Sequence, residues 1–495
     1  MVSGRTYQLA PRDHSGVFLG LDVGDCVVVG SGFSFSVALR LGGVPVALAA
    51  LPLLVAVAGS RLSVAGRPVF RWLPLLGSVA FSRLTGRSRW RGSLPLLPAG
   101  TRGEVDMPPV LLGVDVAELG HGPNRLAVVR DKRNARLTVV LPVGGKSFAG
   151  TTADHQDALL SGWGDVLVRQ TGSDAGVVQV GWSHQARPSN LDAHRLWAEE
   201  VAGDQGDDGL DRDEVVAYLD LVDEIEQQST THDTMVWLTV AGAEIAGRGR
   251  LLDRAAARMP TAVEALTRAL KSAGLVVGPP LPVYGLWRLL RLRIDPTPPA
   301  RLGSALSLAQ RTGVLGPENG RPLAMESAWS SVWIDGALHR TYWVESWPRR
   351  PVPAGWLQSF LVAAESMSMT VIHRPVDLAR SHRRIDSQLV KLGAYLARKE
   401  EKSRRVTEAD RRAEQAVHDL ETELASGYAE TVYLGLVAVA ATTSDELDRR
   451  CQAVEQTARA SQLGLRVLHG RQDVAWAASL PYGLTEPGLL ELVGL

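Results

Sequence analysis

Between residues 41 and 60 the chain carries no charged side chain. The run LGGVPVALAALPLLVAVAGS approaches the roughly 20 apolar residues that an α-helix needs to cross a bilayer. Such a segment has two homes, lipid or a protein interior, and each dictates a different architecture for the rest of the chain. Upstream, residues 26–39 are also free of charge. Adding residues 17–24 makes that stretch long enough to span, with Asp22 and Asp25 near an interface. At mid-bilayer either aspartate would cost roughly 2.5–3.5 kcal/mol. Arg40 is the one charge between the two runs, and Arg61, Arg67, Arg71, Arg83, Arg87, Arg89 and Arg91 follow the second. The arginine bias predicts a two-span hairpin with both ends cytoplasmic. The competing reading is a hairpin buried in protein. Two apolar stretches, the second long, do not make a secretory signal peptide. Residues 68–90 mix Trp72, Leu73, Leu75, Leu76, Val79, Phe81 and Leu84 with arginines. That is the pattern of an amphipathic helix on a membrane surface or of an ordinary docking helix.

A chain of 495 residues predicts two or three compact units. Lys plus Arg and Asp plus Glu number 53 each, a balance that argues against a surface wrapped broadly on nucleic acid and leaves room for local basic patches. Cys26 lies in an apolar run and Cys451 in a charged segment, so no structural disulfide is expected and a reducing location fits.

After a Pro- and Gly-rich linker at 94–103, strand patterns occur at 110–116, 125–129 and 137–143. A helix follows at 154–169, a strand at 177–182 and an acidic helix at 211–227. Then comes a partial internal repeat. A strand at 234–240, a helix at 251–273 capped by Gly274 and a strand at 275–277 match a strand at 431–440, a helix at 444–461 and a strand at 465–468. The fold class predicted is α+β. A transmembrane helical hairpin (1–60) and a juxtamembrane segment with linker (61–105) precede two α+β cytoplasmic halves (106–300 and 301–495), for which a ferredoxin-like form is one option. The second half holds a long charged helix. Ile385, Leu389, Leu392 and Leu396 line one stripe that packs on its own domain or meets a partner.

The motifs that would carry chemistry fail on spacing. Gly144-Gly145-Lys146-Ser147 follows a strand, but a phosphate loop needs a glycine where Val140 stands. The stretch from Asp204 to Gly209 opens like a calcium loop, yet Val215 occupies the position of its closing acid. His232, Asp233, His373 and Arg374 flank strands without a Cys or Glu at metal-ligand spacing. No catalytic, cofactor-binding or metal residue is expected. Arg380, Arg383 and Arg384, with His382, form a basic patch suited to a partner face or to phosphate, including a weak nucleic-acid contact; a solvated helix surface is the plainer reading.

The segment order is informative. The hairpin followed by RPVFRWLPLLGSVAFSRLTGRSRWR resembles the PrgI-like two-span membrane subunit of type IV secretion systems. The stretches LTVVLPVGGKSFAGTTADHQDALLSGWGDVLVRQ and VVQVGWSHQARP, and later DLARSHRRID and the segment from YLGLVAVAATTSDELDRR to AWAASLPYG, look like the N-terminal region of the conjugation ATPase family. The whole is similar to an actinobacterial family that joins such a hairpin to that region without the motor. The resemblance implies a non-catalytic scaffold at the bacterial cytoplasmic membrane, in a hetero-oligomer with a separate motor ATPase and other channel subunits. Rival readings are a type VII secretion component of the EccE kind and an enzyme with an unrecognised site.

Overall fold

The computed structural model describes residues 23–64, 67–68, 72–92, 106–120, 125–145, 150–171, 176–189, 212–241, 248–295, 320–348, 350–363, 366–376, 378–401 and 431–486, with single positions between them. The N-terminal part holds helices α1 (Val23–Leu41), α2 (Val46–Ala49) and α3 (Leu51–Arg61). The hairpin of β1 (Ser63–Val64) and β2 (Arg67–Pro68), then α4 (Trp72–Leu84) and β3 (Arg89–Arg91) complete it. The apolar run at 41–60 is thus not one helix. Gly43 takes a left-handed turn at φ +84°, Pro45 stands ahead of α2, and α3 restarts at Leu51 with Pro52 in its first turn. Its longest piece has 11 residues, about 16 Å against a hydrocarbon core of about 30 Å. The α1 helix includes Asp25 and Arg40 and the polar stretch Gly30–Ser36. Among the described residues no helix is long and apolar enough to cross a membrane. The expected transmembrane hairpin, and with it the placement at a bacterial membrane, is therefore corrected. Residues 17–22 of the expected first span lie outside the described residues. The α4 helix leans on the second half instead: Trp72 packs 5.7 Å from Trp329 and 5.9 Å from His469, and Leu75 is buried.

The expectation of two separate α+β halves is corrected as well, because both build a single 13-stranded sheet. Its first half comprises β4 (Val114–Leu119), β5 (Leu126–Asp131), β6 (Arg136–Gly144), β7 (Val177–Pro188), β8 (Thr230–Ala241) and β9 (Val276–Val277). The second comprises β10 (Ala324–Ser327), β11 (Val332–Ile334), β12 (Ala337–Ser346), β13 (Met367–Pro375), β14 (Thr431–Ala441) and β15 (Gly464–Val467). The order is β3-β10-β11-β12-β14-β13-β7-β8-β6-β5-β4, with β15 on β12 and β9 on β6. Every pairing is antiparallel.

The sheet reads the same outward from its centre. At the junction β7 meets β13 with Ser183 opposite Thr370. Outside β7 lies β8 and outside β13 lies β14, with Met235 opposite Ser183 and Leu436 opposite Thr370. Next come β6 and β12, where Pro142 faces Met235 and Trp343 faces Leu436. This is an approximate two-fold axis through the Ser183–Thr370 pair. Corresponding helices follow β8 and β14, namely α7 (Arg248–Ser272) and α11 (Ser444–Ala460). Their buried faces match in spacing: Met259, Val263, Leu266 and Leu270 on one, Leu447, Cys451, Val454 and Ala458 on the other. Both end in the same cap. The Gly274 N–H donates to Lys271 and that of Leu275 to Leu270; the Gln462 N–H donates to Arg459 and that of Leu463 to Ala458. The turn residue is left-handed in each, Gly274 at φ +84° and Gln462 at φ +59°.

Strand alternation divides the core. In β8, Val236, Leu238 and Val240 face α7 and α5 (Ala153–Thr171), whereas Trp237 faces the opposite side. In β14, Val437, Val439 and Ala441 face α11 and α9 (Gln358–Ala363), whereas Leu436 turns to the opposite side. That opposite face is covered by α8 (Val283–Ile294) and α12 (Gln472–Ser479), which share one apolar cluster spanning both halves. Trp237 lies flat over Gly181, where an added Cβ would come within 2.2 Å of the indole.

The matched caps make a paired prediction. Gly274→Ala must adopt a left-handed backbone and meets Leu159 at 2.8 Å, so it should lose about 1–2 kcal/mol. Gln462→Gly relieves the same backbone cost and should gain up to about 1 kcal/mol. Urea unfolding midpoints of the two variants moving in the same direction would contradict the shared cap.

Candidate functional site

The junction strands pack apolar side chains on one face and polar ones on the other. Gln179, Ser183 and Gln185 of β7 and Ser368 and Thr370 of β13 are all buried under α8 and α12. The Ser183 and Thr370 hydroxyls lie 3.0 Å apart, and Thr370 donates to the Ser479 carbonyl at 2.7 Å. Each half sends its last segment across the axis. The end of α8 crosses to the second half, where His339 Nε2 donates to the Ile294 carbonyl at 2.7 Å, and Gln185 Nε2 donates to the Leu292 carbonyl at 3.1 Å. The chain after α12 crosses to the first half. There Thr485 donates to Gln179 Oε1 at 3.0 Å, and Gly483 lies so close to Thr138 and Thr239 that a Cβ would meet their hydroxyls at 2.5 and 2.3 Å.

One end of this seam holds a small, partly open cavity of about 20 Å³, lined by Gln185, Arg293, His339, Ser366, Ser368 and Ser479 among others. Arg293 comes from the last turn of α8 and is 5% exposed. None of its three guanidinium nitrogens finds a hydrogen-bond partner, nor does the Ser366 hydroxyl. Its neighbour Arg291 is paired with Asp335. Burial pushes the Arg293 pKa down to about 10, against the nearby Asp233 carboxylate and together with the Arg187 cation. Arg187 holds Asp233 at 3.1 Å. Arg288 is also lowered, by burial first and by Arg187 second. Asp233 thus acts on Arg187, Arg288 and Arg293, of which Arg187 and Arg293 are buried. Ser366 stands at φ +53°, a left-handed backbone on a non-glycine residue.

The residues singled out in the sequence scatter. Arg380, Arg383 and Arg384 fall in the first turns of α10 (Leu378–Glu401). Arg383 is exposed, and the side chains of the other two lie outside the described residues. His232 stacks on His184 at 5.2 Å, with His184 Nε2 3.2 Å from His232 Nδ1 and His184 Nδ1 3.0 Å from Thr234. His373 is enclosed between Trp163 and Tyr433. Gly144 ends β6, while Lys146, Ser147 and the acidic loop 204–209 lie outside the described residues. Among the described residues no cluster of His, Cys, Asp and Glu could hold a metal. Asp233 alone of the flagged residues reaches the Arg293 group. Sequence reasoning does not find Arg293 itself; its only trace there is a third arginine, two residues after Arg291, in the apolar stretch LWRLLRLRI.

Two helical insertions leave the sheet beside the junction. Residues 189–229 join β7 to β8 and hold α6 (Arg212–Gln228); residues 376–430 join β13 to β14 and hold α10. Because β7 and β13 are antiparallel, the insertions lie at opposite ends of the sheet. The α6 helix buries Val222 and exposes Val216, Tyr218, Leu221 and Ile225 amid Glu214, Asp220, Asp223 and Glu224. The α10 helix buries Ser381 and Ile385 at its start and exposes Val390 (72%) and Tyr395 (48%) farther along.

Burial holds His184, His339 and His373 down to about 4. An unfolded histidine titrates near about 6.5, so below that pH the unfolded chain takes up protons that the folded chain refuses. Stability should be whole above about pH 6.5 and fall as the pH drops towards 4. Urea midpoints at pH 7 and pH 5 test this, and a flat profile would contradict it. His339→Gln, whose amide can still donate to Ile294, should make the fall shallower. No protein-family model and no curated protein matches this chain.

Proposed function

We propose that the chain is a non-catalytic docking subunit of a conjugative, type IV-like transfer machine, and that it holds a separate motor ATPase through the helices at the ends of its sheet. The observation that carries this reading is the exposure of large apolar side chains on α6 and α10. An amphipathic helix ordinarily turns its apolar face to its own core. Here Val216, Leu221 and Ile225 on one helix, and Val390 and Tyr395 on the other, stay exposed. Exposed aromatic and aliphatic groups set among charges are what a partner surface uses as anchors.

The resemblance of the segment order to the motor-less N-terminal region of the conjugation ATPases supplies the partner class. The charge pattern supports two different contacts. The α6 helix is acidic, with Asp213, Glu214, Asp220, Asp223 and Glu224, whereas α10 opens with Arg380, Arg383 and Arg384. Complementary charge raises the rate and selectivity of encounter more than it raises affinity. The arginines of α10 would then meet an acidic face of the partner.

A pull-down of the purified motor ATPase with the full chain tests the reading. Val390→Asp with Tyr395→Asp should weaken capture at least tenfold, as expected when about 1.4 kcal/mol or more of anchor energy is lost. The variant should keep the wild-type urea midpoint, because both side chains are exposed. Undiminished capture, or nucleotide hydrolysis by the chain alone, would count against the proposal.

A further inference from the structure

We propose that the cavity at the seam between the two halves binds a single monatomic anion of the halide class, held by the Arg293 guanidinium and the Ser366 hydroxyl. Three observations converge on it. First, the Asp233 carboxylate that acts on Arg293 is already bonded to Arg187, whose own cation opposes that of Arg293. A guanidinium that is 5% exposed with no hydrogen-bond partner on any nitrogen is an expensive arrangement. A neutral water would meet its hydrogen-bonding need and leave the charge to an Asp233 carboxylate that Arg187 already holds, whereas an anion meets both needs.

Second, the free groups are donors. Arg293 offers N–H groups and no acceptor. The Ser366 hydroxyl has no partner. Of the other donors at the wall, His339 Nε2 is engaged with the Ile294 carbonyl, Gln185 Nε2 with the Leu292 carbonyl and the Ser479 hydroxyl with the Trp476 carbonyl. Among the described residues no carboxylate lines the cavity.

Third, size selects the class. A cavity of about 20 Å³ has room for one water-sized particle. That matches chloride or bromide and is tight for phosphate, sulfate and carboxylate ligands. The ion would sit where it matters for the fold, because Arg293 belongs to the first half and Ser366 to the second. It would join the halves beside the Ser183–Thr370 pair and explain why Ser366 tolerates a left-handed backbone at the entry to β13.

The experiment compares thermal midpoints of the full chain in sodium chloride, sodium bromide and sodium gluconate at one ionic strength. The wild type should rise with halide concentration and level off at saturation, as mass action requires of a ligand that binds only the folded state. It should not do so in gluconate, which is too large to enter. Arg293→Met should respond equally to all three salts. Line broadening of the chloride NMR signal should appear with the wild type and disappear with Arg293→Met. A bromide-soaked crystal of the wild-type chain decides the matter without any variant. An anomalous peak within hydrogen-bonding distance of the Arg293 guanidinium is the expected result; a map without one, or a halide response that survives in Arg293→Met, overturns the proposal.

Discussion

The backbone pairing of β7 with β13 is the interaction on which the rest of this molecule depends. It runs from Val180 opposite His373 to Ala186 opposite Met367 and turns two smaller pieces into one sheet. Without it each piece would present a long edge of unpaired N–H and C=O groups, the feature that makes an isolated sheet prone to wrong pairing. With it, both strands are central and their polar groups are met on both sides by β8 and β14. The two-fold relation comes from the same contact. Two similar units that join through equivalent edge strands place every later element symmetrically, down to the caps of α7 and α11.

The apolar layers and the polar seam divide the work of holding that junction. Away from the axis, α7 and α11 bury regular 3–4 stripes against alternating strand residues, a non-directional attraction that any similar helix could supply. Near the axis the covering face is rich in Ser, Thr and Gln, whose hydrogen bonds are directional. These groups specify which residue lies opposite which, since each buried donor left without a partner is costly. The crossing of α8 into the second half and of residues 480–485 into the first adds a mutual clasp. Arg293 and Ser366 stand out at the cavity because no polar atom of either side chain has a hydrogen-bond partner, whereas Gln179 keeps its bond from Thr485 and lacks one only at Nε2.

Local elements are legible in the sequence; their joining is not. The helix ending at Gly274 can be read because its apolar spacing and its glycine cap are both local signals, and the acidic helix near 211–227 likewise. The 41–60 run misleads because its absence of charge is a louder signal than Pro45 and Pro52, which divide it into short helices. The β7–β13 pairing leaves no mark, since Ser183 and Thr370 are distant in the chain and neither strand's pattern names its partner. For the same reason Arg293 is invisible: an arginine in an amphipathic helix is normally exposed, and only the crossing of α8 over the seam buries it. The basic patch of Arg380, Arg383 and Arg384 is visible as composition, and the structure gives it a helix start rather than a pocket.

The central claim is that the two halves share one sheet through β7 and β13. Amide hydrogen exchange on the intact chain measures it most directly. The account predicts that the amides of residues 180–186 and 367–373 exchange among the slowest in the protein and open together, as central strands of one cooperative unit do. Rapid exchange in both segments, with the outer strands β6 and β12 still protected, would mean that each half ends in an open edge and that the shared sheet does not exist.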